Sequence, residues 1–401
     1  MRILEINKFF YLRRGAERHM LDVIDLLRKR GHEVAVLSME HQENEPSDFK
    51  QYFVSYVGYH TDDSSLWQRL KGMGRLFWSF EARCKIERLL QAWQPDVAHL
   101  HNIYHQLSPS ILGPLTKRGI PIVMTVHDYN LVSPDKDTYY PAVGQHYYKF
   151  LFVRKYRLVK RMLLVAKMYW NDWCGFYKNI NAYIVPSTYV KNVLVGAGMS
   201  GENIFVLPHF IAESSRPETP LAPLEAAPTL PFGLYFGSVS QEKGIAQLVK
   251  IFDSLQVPLV ILGKREHDFL LPKSDYVSYQ GQQSKQVVEQ WIEKAALVVS
   301  ASPLPETFGL IALEAIALGK PFFGLMSGAL PEIISNGMNG YLAGDVLALK
   351  NELHHFFSSK NSFDRESIRE DALARYSEVN YGKKMEGIFE KLLIAEAKMK
   401  R

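Results

Sequence analysis

Cysteine is scarce: Cys84 and Cys174 are the only two in 401 residues, and they lie far apart. That spacing excludes a disulfide scaffold or a cysteine-built zinc site and fits a reducing compartment. Long apolar runs are absent too; nothing approaches the roughly 18 to 20 residues that span a bilayer. The opening "MRILEINKFFYLRRG" is interrupted by Glu5, Asn7 and Lys8 before a signal-peptide core can form. A cytoplasmic protein, soluble or peripheral on the cytoplasmic face of a membrane, is therefore expected. Charge asymmetry is small, 47 basic residues against 42 acidic for a net +5. Without clustering, that balance argues against a nucleic-acid binder. GxxxxGK[ST] does not occur, and the strand-to-helix loop at 236–244 holds no GxGxxG, so that loop supports neither a nicotinamide-binding nor a P-loop reading.

What the chain does contain is regular alternation of apolar strands and amphipathic helices. "RILEI" reads as a buried strand. "AERHMLDVIDLLRKRG" repeats Met20, Val23, Ile24 and Leu27 at helical spacing, with Gly31 as its C-cap. Further strands are expected at "EVAVLSM", "DVAHLH" (96–101), "PIVMTVH" (121–127), "AYIVPS" (182–187) and "IFVLP" (204–208). Strands of this kind joined by helices predict a parallel sheet covered on both faces. Residues 211–231 carry five prolines and no periodicity, the composition of a linker. Beyond them "FGLYFG", "IAQLVKIFDSL" and "VPLVILG" restart the strand, helix, strand order. The expected organisation is a first domain over 1–210, a linker over 211–231, a second domain over 232–375 and a C-terminal helix over 376–401 bracing both. The expected fold class is α/β, two Rossmann-like doubly wound domains facing each other across a cleft. Ligands of such sheets bind at the carboxyl ends of the strands.

Several loops at those ends hold residues capable of chemistry. In "PETFGLIALEA" (305–315), Pro305 and Thr307 suit a helix start, and Gly309 permits close approach of a ligand. Glu306 sits at the helix opening, where unpaired amides offer donors. Glu314 lies on a helix apolar all round, so it needs donors, which a ribose diol supplies. Taken alone, the two glutamates equally suit a dipole-complementing residue and one reaching water. "FGSVSQEKG" (236–244) lies between strand and helix, where Lys243 supplies charge and Gly244 room; a lysine before a glycine is also common in ordinary turns. "YLRRGAERH" (11–19) is the matching loop of the first half, with Gly15 and Glu17, and an ordinary solvated loop fits it as well. "TVHDY" ends a strand with His127 and Asp128 at its carboxyl edge, in a cleft or in a satisfied core. "HLHNIYHQLSPS" brings His101, Asn102 and His105 together, but no carboxylate or cysteine accompanies them at ligand spacing, and a metal site is rejected.

Together these segments resemble the retaining glycosyltransferases of family 4, which have the GT-B fold. "RGAERHMLDVIDLLRKRGHEVAVLS", "LHNIYHQLSPSIL", "GIPIVMTVHDYNLVSP", "EKGIAQLV", "PETFGLIALEAIALGKP" and "ALPEIISNGMNGYL" carry the resemblance, in the family's order, over nearly the whole chain. It implies that Glu314 binds the nucleotide ribose. It implies that Glu306, with Thr307 and the backbone of Phe308, Gly309 and Leu310, holds the donor sugar, and that Lys243 contacts the diphosphate. Gly15 would let the first loop touch donor phosphate or acceptor, and His127 would face the donor sugar. Arg14, His101, Asn102 and Asp128 would be acceptor-side or auxiliary groups. No metal or cofactor is implied, since the nucleoside-diphosphate-sugar is a substrate. Two positions depart from the family: Ser238 stands where an arginine is usual, and Arg14 where a glycine is usual. Either Arg14 supplies the missing cation, or diphosphate binding is weaker and activity reduced.

From Thr138 to Asn171 there is no acidic residue, while Lys149, Arg154, Lys155, Arg157, Lys160, Arg161 and Lys167 interleave with aromatics. A helix with a basic and an apolar face over 149–170 suits an anionic membrane surface, or a core-packed helix with a solvated basic face. The expected activity is transfer of a sugar from a UDP- or GDP-linked donor to a saccharide or lipid-linked acceptor, in surface polysaccharide or glycolipid synthesis. A sugar-nucleotide epimerase of the same architecture, and a weakly active membrane-bound scaffold, are the alternatives.

Overall fold

A computed structural model describes residues 1–57, 72, 74–212, 227–359 and 363–399. Most of the proline-rich 211–231 segment lies outside the described residues. The chain divides into two units, Met1–Pro208 with Val379–Arg401, and His209–Glu378.

The first unit is built on strands β1 (Arg2–Ile6), β2 (Glu33–Leu37), β3 (Val97–Leu100), β4 (Ile122–Thr125), β5 (Ala182–Val185) and β6 (Ile204–Val206). They form one parallel sheet in the order β2-β1-β3-β4-β5-β6. A further bridge pairs Met39 with Val54. Alternate residues of each strand face opposite layers. Leu4, Ile6, Ala98, Leu100, Ile122 and Met124 enter one large core cluster, fully buried. The helix Gly15–Lys29 covers part of the other face through Met20, Val23, Ile24 and Leu27. Gly31, one residue past its cap Arg30, takes φ +82°, the left-handed turn that ends the helix.

The second unit repeats the plan with β7 (Gly233–Phe236), β8 (Leu259–Leu262), β9 (Val277–Tyr279), β10 (Leu297–Ser300), β11 (Phe322–Leu325) and β12 (Gly340–Ala343). Its order is β12-β11-β10-β7-β8-β9, again all parallel. Central strands such as "LVIL" and "LVVS" are buried along their whole length, as a sheet covered on both faces requires. Both units are doubly wound, as the sequence pattern predicts.

The C-terminal stretch is two helices, Arg365–Arg375 and Glu378–Met399. The first packs in the core of the second unit through Ile368 and Ala372. The last helix belongs to the first unit, clamped by Glu386, whose carboxylate accepts from Arg30 Nε at 2.7 Å and Nη2 at 2.6 Å. His32 Nε2 lies 2.7 Å from the same carboxylate.

Candidate functional site

In each sheet the chain winds outward in both directions from a central strand. Loops leaving the two strands at that switch point diverge and leave space for a ligand. In the second unit the switch lies between β7 and β10.

The loop after β7 carries Gly237, Ser238, Lys243 and Gly244; the loop after β10 carries Glu306 to Gly309. The two meet directly: Lys243 Nζ donates to Glu306 Oε1 at 2.6 Å, with both side chains more than a quarter exposed. At that exposure the pair contributes at most ~1 kcal/mol to stability, so its interest is chemical. Gly244 has φ +71°, and a Cβ there would lie 2.1 Å from the Ala301 carbonyl oxygen. Only glycine lets these loops approach so closely. Glu306 is fixed through its backbone, since the Ala329 amide donates to its carbonyl at 2.9 Å.

The helix at this site begins at Leu310, later than Pro305 and Thr307 suggest, because Gly309 adopts φ +110° and serves as the N-cap. Glu306 therefore lies in the loop ahead of the helix. The first amides, Leu310 and Ile311, have no intrahelical acceptor and carry the positive end of the helix dipole. Nor is the helix enclosed all round. Ala312, Leu313, Ala315 and Ile316 are buried, while Leu310, Ile311 and Glu314 lie on the half-buried side. Phe308 is buried, edge-on to His209 at 4.9 Å, and Thr307 beside it is half-buried. The Ser238 carbonyl accepts from the Tyr235 hydroxyl at 2.8 Å. Burial pushes that phenol far above its ordinary pKa, so it stays a donor.

In the first unit the switch lies between β1 and β3. The structure corrects the reading that no carboxylate accompanies the histidines. Glu5 is opposite His99 in register, and both lie on one face with His101, Thr125 and His127. Glu5 Oε1 is 2.9 Å from His99 Nδ1, and its Oε2 is 2.9 Å from His101 Nε2. His99 Nε2 is 2.7 Å from Thr125 Oγ1, and His101 Nδ1 is 2.8 Å from His127 Nε2. His19 joins edge-on to His127 at 5.6 Å, with its Nε2 3.1 Å from the Tyr381 hydroxyl. Burial opposes the charge of Glu5, but attraction to His99 and hydrogen bonds from both imidazoles outweigh it and hold the carboxyl at about 2. Burial lowers His101 to about 4, so its ring is neutral near pH 7.

Among the described residues, Glu5, His99 and His101 are the group whose ligand atoms stand close enough to share an ion, within 4.8 Å. All three are fully buried and each of those atoms already closes a hydrogen bond. The arrangement is a hydrogen-bonded chain. An Asp-x-Asp triplet also occurs, Asp135–Lys136–Asp137, but buried Asp135 is occupied by Lys155 Nζ at 2.9 Å and the Tyr140 and Tyr156 hydroxyls at 3.2 Å.

The remaining candidates distribute around this edge. Arg14, exposed, precedes Gly15 as the N-cap of helix Gly15–Lys29. The Asn102 amide donates to Asn7 Oδ1 at 3.0 Å. Asp128 accepts from the Asn130 amide at 3.0 Å; burial raises its pKa, opposed by Lys8. In the loop after β3, His105 and Ser108 adopt φ +71° and +64°, conformations that cost about 1–3 kcal/mol each and concentrate at functional sites. Glu5, His99, His19 and Tyr381 escape a motif search. A glutamate inside "RILEI" and the alternate histidines of "HLH" are the signals that mark this face.

Two family models match the chain: Glycosyltransferase Family 4 over residues 13–214, and Glycosyl transferases group 1 over 231–359. An uncharacterized protein of the cps region of Klebsiella pneumoniae is 22% identical over 371 residues, covering 86% of this chain and 91% of its own. The lipopolysaccharide 1,2-N-acetylglucosaminetransferase of Salmonella typhimurium is 25% identical over 179 residues, 38% of this chain and 46% of its own. Among solved structures, Anabaena HepE in complex with UDP-glucose superimposes with a TM-score of 0.64 at 18% identity, over 98% of this chain and 99% of that one.

Proposed function

Because this chain belongs to glycosyltransferase family 4, a family of GT-B enzymes, we propose that it transfers a sugar from a nucleoside-diphosphate donor, with retention, to a saccharide or lipid-linked acceptor. The observation that carries this reading is the Lys243–Glu306 contact at the β7/β10 switch point. A diphosphate entering beside Lys243 competes for its ammonium and frees Glu306. The carboxylate then accepts hydroxyls of the donor sugar, while the ammonium and the amides of Leu310 and Ile311 stabilise the departing nucleoside diphosphate. Glu314, on the open side of the same helix, takes the ribose diol. Within the first unit, His127 is read as a group for a sugar, and Gly15 as one for phosphate or acceptor.

Named relatives support surface polysaccharide or lipopolysaccharide synthesis, and the UDP-glucose of HepE supports a uridine donor over guanosine. A lipid-linked acceptor would place the enzyme at a membrane. Helix Leu158–Cys174 and the turn before it present exposed Phe152, Val159, Met162, Tyr169 and Trp173, beside exposed Arg154, Arg157 and Lys160. Apolar residues flanked by cations suit anionic lipid.

The test is a thermal-shift panel of UDP, GDP, ADP and TDP and their sugars on wild type and Glu314→Ala. A ligand that binds the native state alone, at about 100 times its Kd, adds roughly 2.7 kcal/mol. A shift of several degrees with one nucleotide family, lost in Glu314→Ala, is expected. No shift with any nucleotide defeats the proposal.

A further inference from the structure

Glu5, His99 and His101 have no part in the site just described, yet they form a continuous hydrogen-bonded path to His127. With His101 neutral, as its burial requires near pH 7, the hydrogens along it can be placed. A carboxylate has no hydrogen to give, so both contacts to Glu5 are donated by imidazole N–H groups. His101 therefore carries its hydrogen on Nε2. A neutral imidazole has only one, so His101 Nδ1 is bare and accepts. Its partner at 2.8 Å, His127 Nε2, must then donate.

We infer that Glu5, acting through His101, is a positioning residue that fixes the tautomer of His127, with hydrogen on Nε2 and the lone pair on Nδ1. The consequence is chemical selectivity. Any group that meets Nδ1 must donate to it; a sugar hydroxyl does, and a phosphate oxygen does not. The geometry is rigid for physical reasons. Glu5, His99 and His101 have no exposed surface, and His99 is braced on its far side by Thr125 and by Phe389, ring centroids 5.9 Å apart. A buried carboxylate that lost either donor would be costly, which keeps both rings in place. This inference rests on the proposed role of His127 toward the sugar, but its test is separable.

The experiment is ring nitrogen NMR of the full chain labelled with ¹⁵N-histidine, with His127 assigned by its loss in His127→Asn. In wild type near pH 7, His127 is expected to show a protonated Nε2 and a bare Nδ1, and His101 the same. In Glu5→Leu, His101 loses its acceptor, His127 becomes a mixture of tautomers, and kcat falls about 10- to 100-fold, as when a histidine loses the outer partner that orients it. A wild-type His127 protonated on Nδ1 overturns the inference, and so does a Glu5→Leu spectrum in which His127 stays wholly Nε2-protonated. If Glu5→Leu does not fold, the wild-type spectrum decides alone. Full transferase activity in His127→Asn would instead remove the sugar-contact reading and leave the tautomer result intact.

Discussion

At the residue scale, the polar face of the first sheet makes the chain acid-sensitive at an unusual place. His101 titrates near its ordinary value of 6.5 when unfolded and about 4 when folded; Glu5 near 4.5 and about 2. Both folded values are depressed, so the unfolded chain takes up protons first. The contribution of these two groups is complete above pH 6.5. It falls as pH drops, at about 1.4 kcal/mol per unit for each proton taken up, through His101 between 6.5 and 4 and through Glu5 between 4.5 and 2. Melting the full chain from pH 7.5 to 4.5 should therefore show Tm declining below 6.5, and a flat Tm across that interval would contradict the assignment. Lys243, Glu306 and Glu314 are legible in sequence because contiguous motifs hold them. Glu5 and His99 are not, because strand register places them together and no local spacing records it.

At the element scale, the helix Leu158–Cys174 shows what a composition can hide. Seven cations over 149–167 predict a broad basic face, yet Lys167 turns inward to Asn130 Oδ1 at 3.2 Å. Burial lowers Lys167 to about 8. Lys155 pairs with Asp135 at 2.9 Å, and Arg161 donates to the Val153 carbonyl at 3.1 Å. The cations that stay outward, Arg154, Arg157 and Lys160, share the surface with exposed apolar residues, Val159 at 69% and Trp173 at 83%. Charge counts do not say which cations serve the fold. The expected outcome is cosedimentation with vesicles containing anionic lipid, a blue shift of tryptophan emission, and loss of both in Met162→Asp/Trp173→Glu. Equal binding of wild type and variant would remove the docking role. Elsewhere the alternation of strand and helix is read closely from sequence, and the boundaries that move, such as Leu310, move where a glycine takes a left-handed turn.

At the scale of the molecule, the last helix is the feature that the pattern places least well: its charged, weakly periodic sequence does not reveal the unit it serves. It belongs to the first. Glu386 holds it by a bidentate contact to Arg30 and a third bond from His32. Bonds of this charged type contribute about 1.5–3 kcal/mol each in partly buried settings. Glu386→Ala should lower the unfolding midpoint of the first unit by several degrees and leave nucleotide binding by the second unchanged. A midpoint equal to wild type would show that Phe389 and Tyr381 suffice as anchors. The same helix sets an order of events at the ribosome. The first unit is interrupted by the 170 residues of the second, which take roughly 10 to 30 seconds to synthesise at about 5–20 residues per second. Throughout that interval the face bearing Glu5 and its histidines waits without Phe389 and Tyr381. The amino-terminal half is thus made first and completed last, and the nascent chain is most vulnerable to chaperone capture and proteolysis at its oldest part.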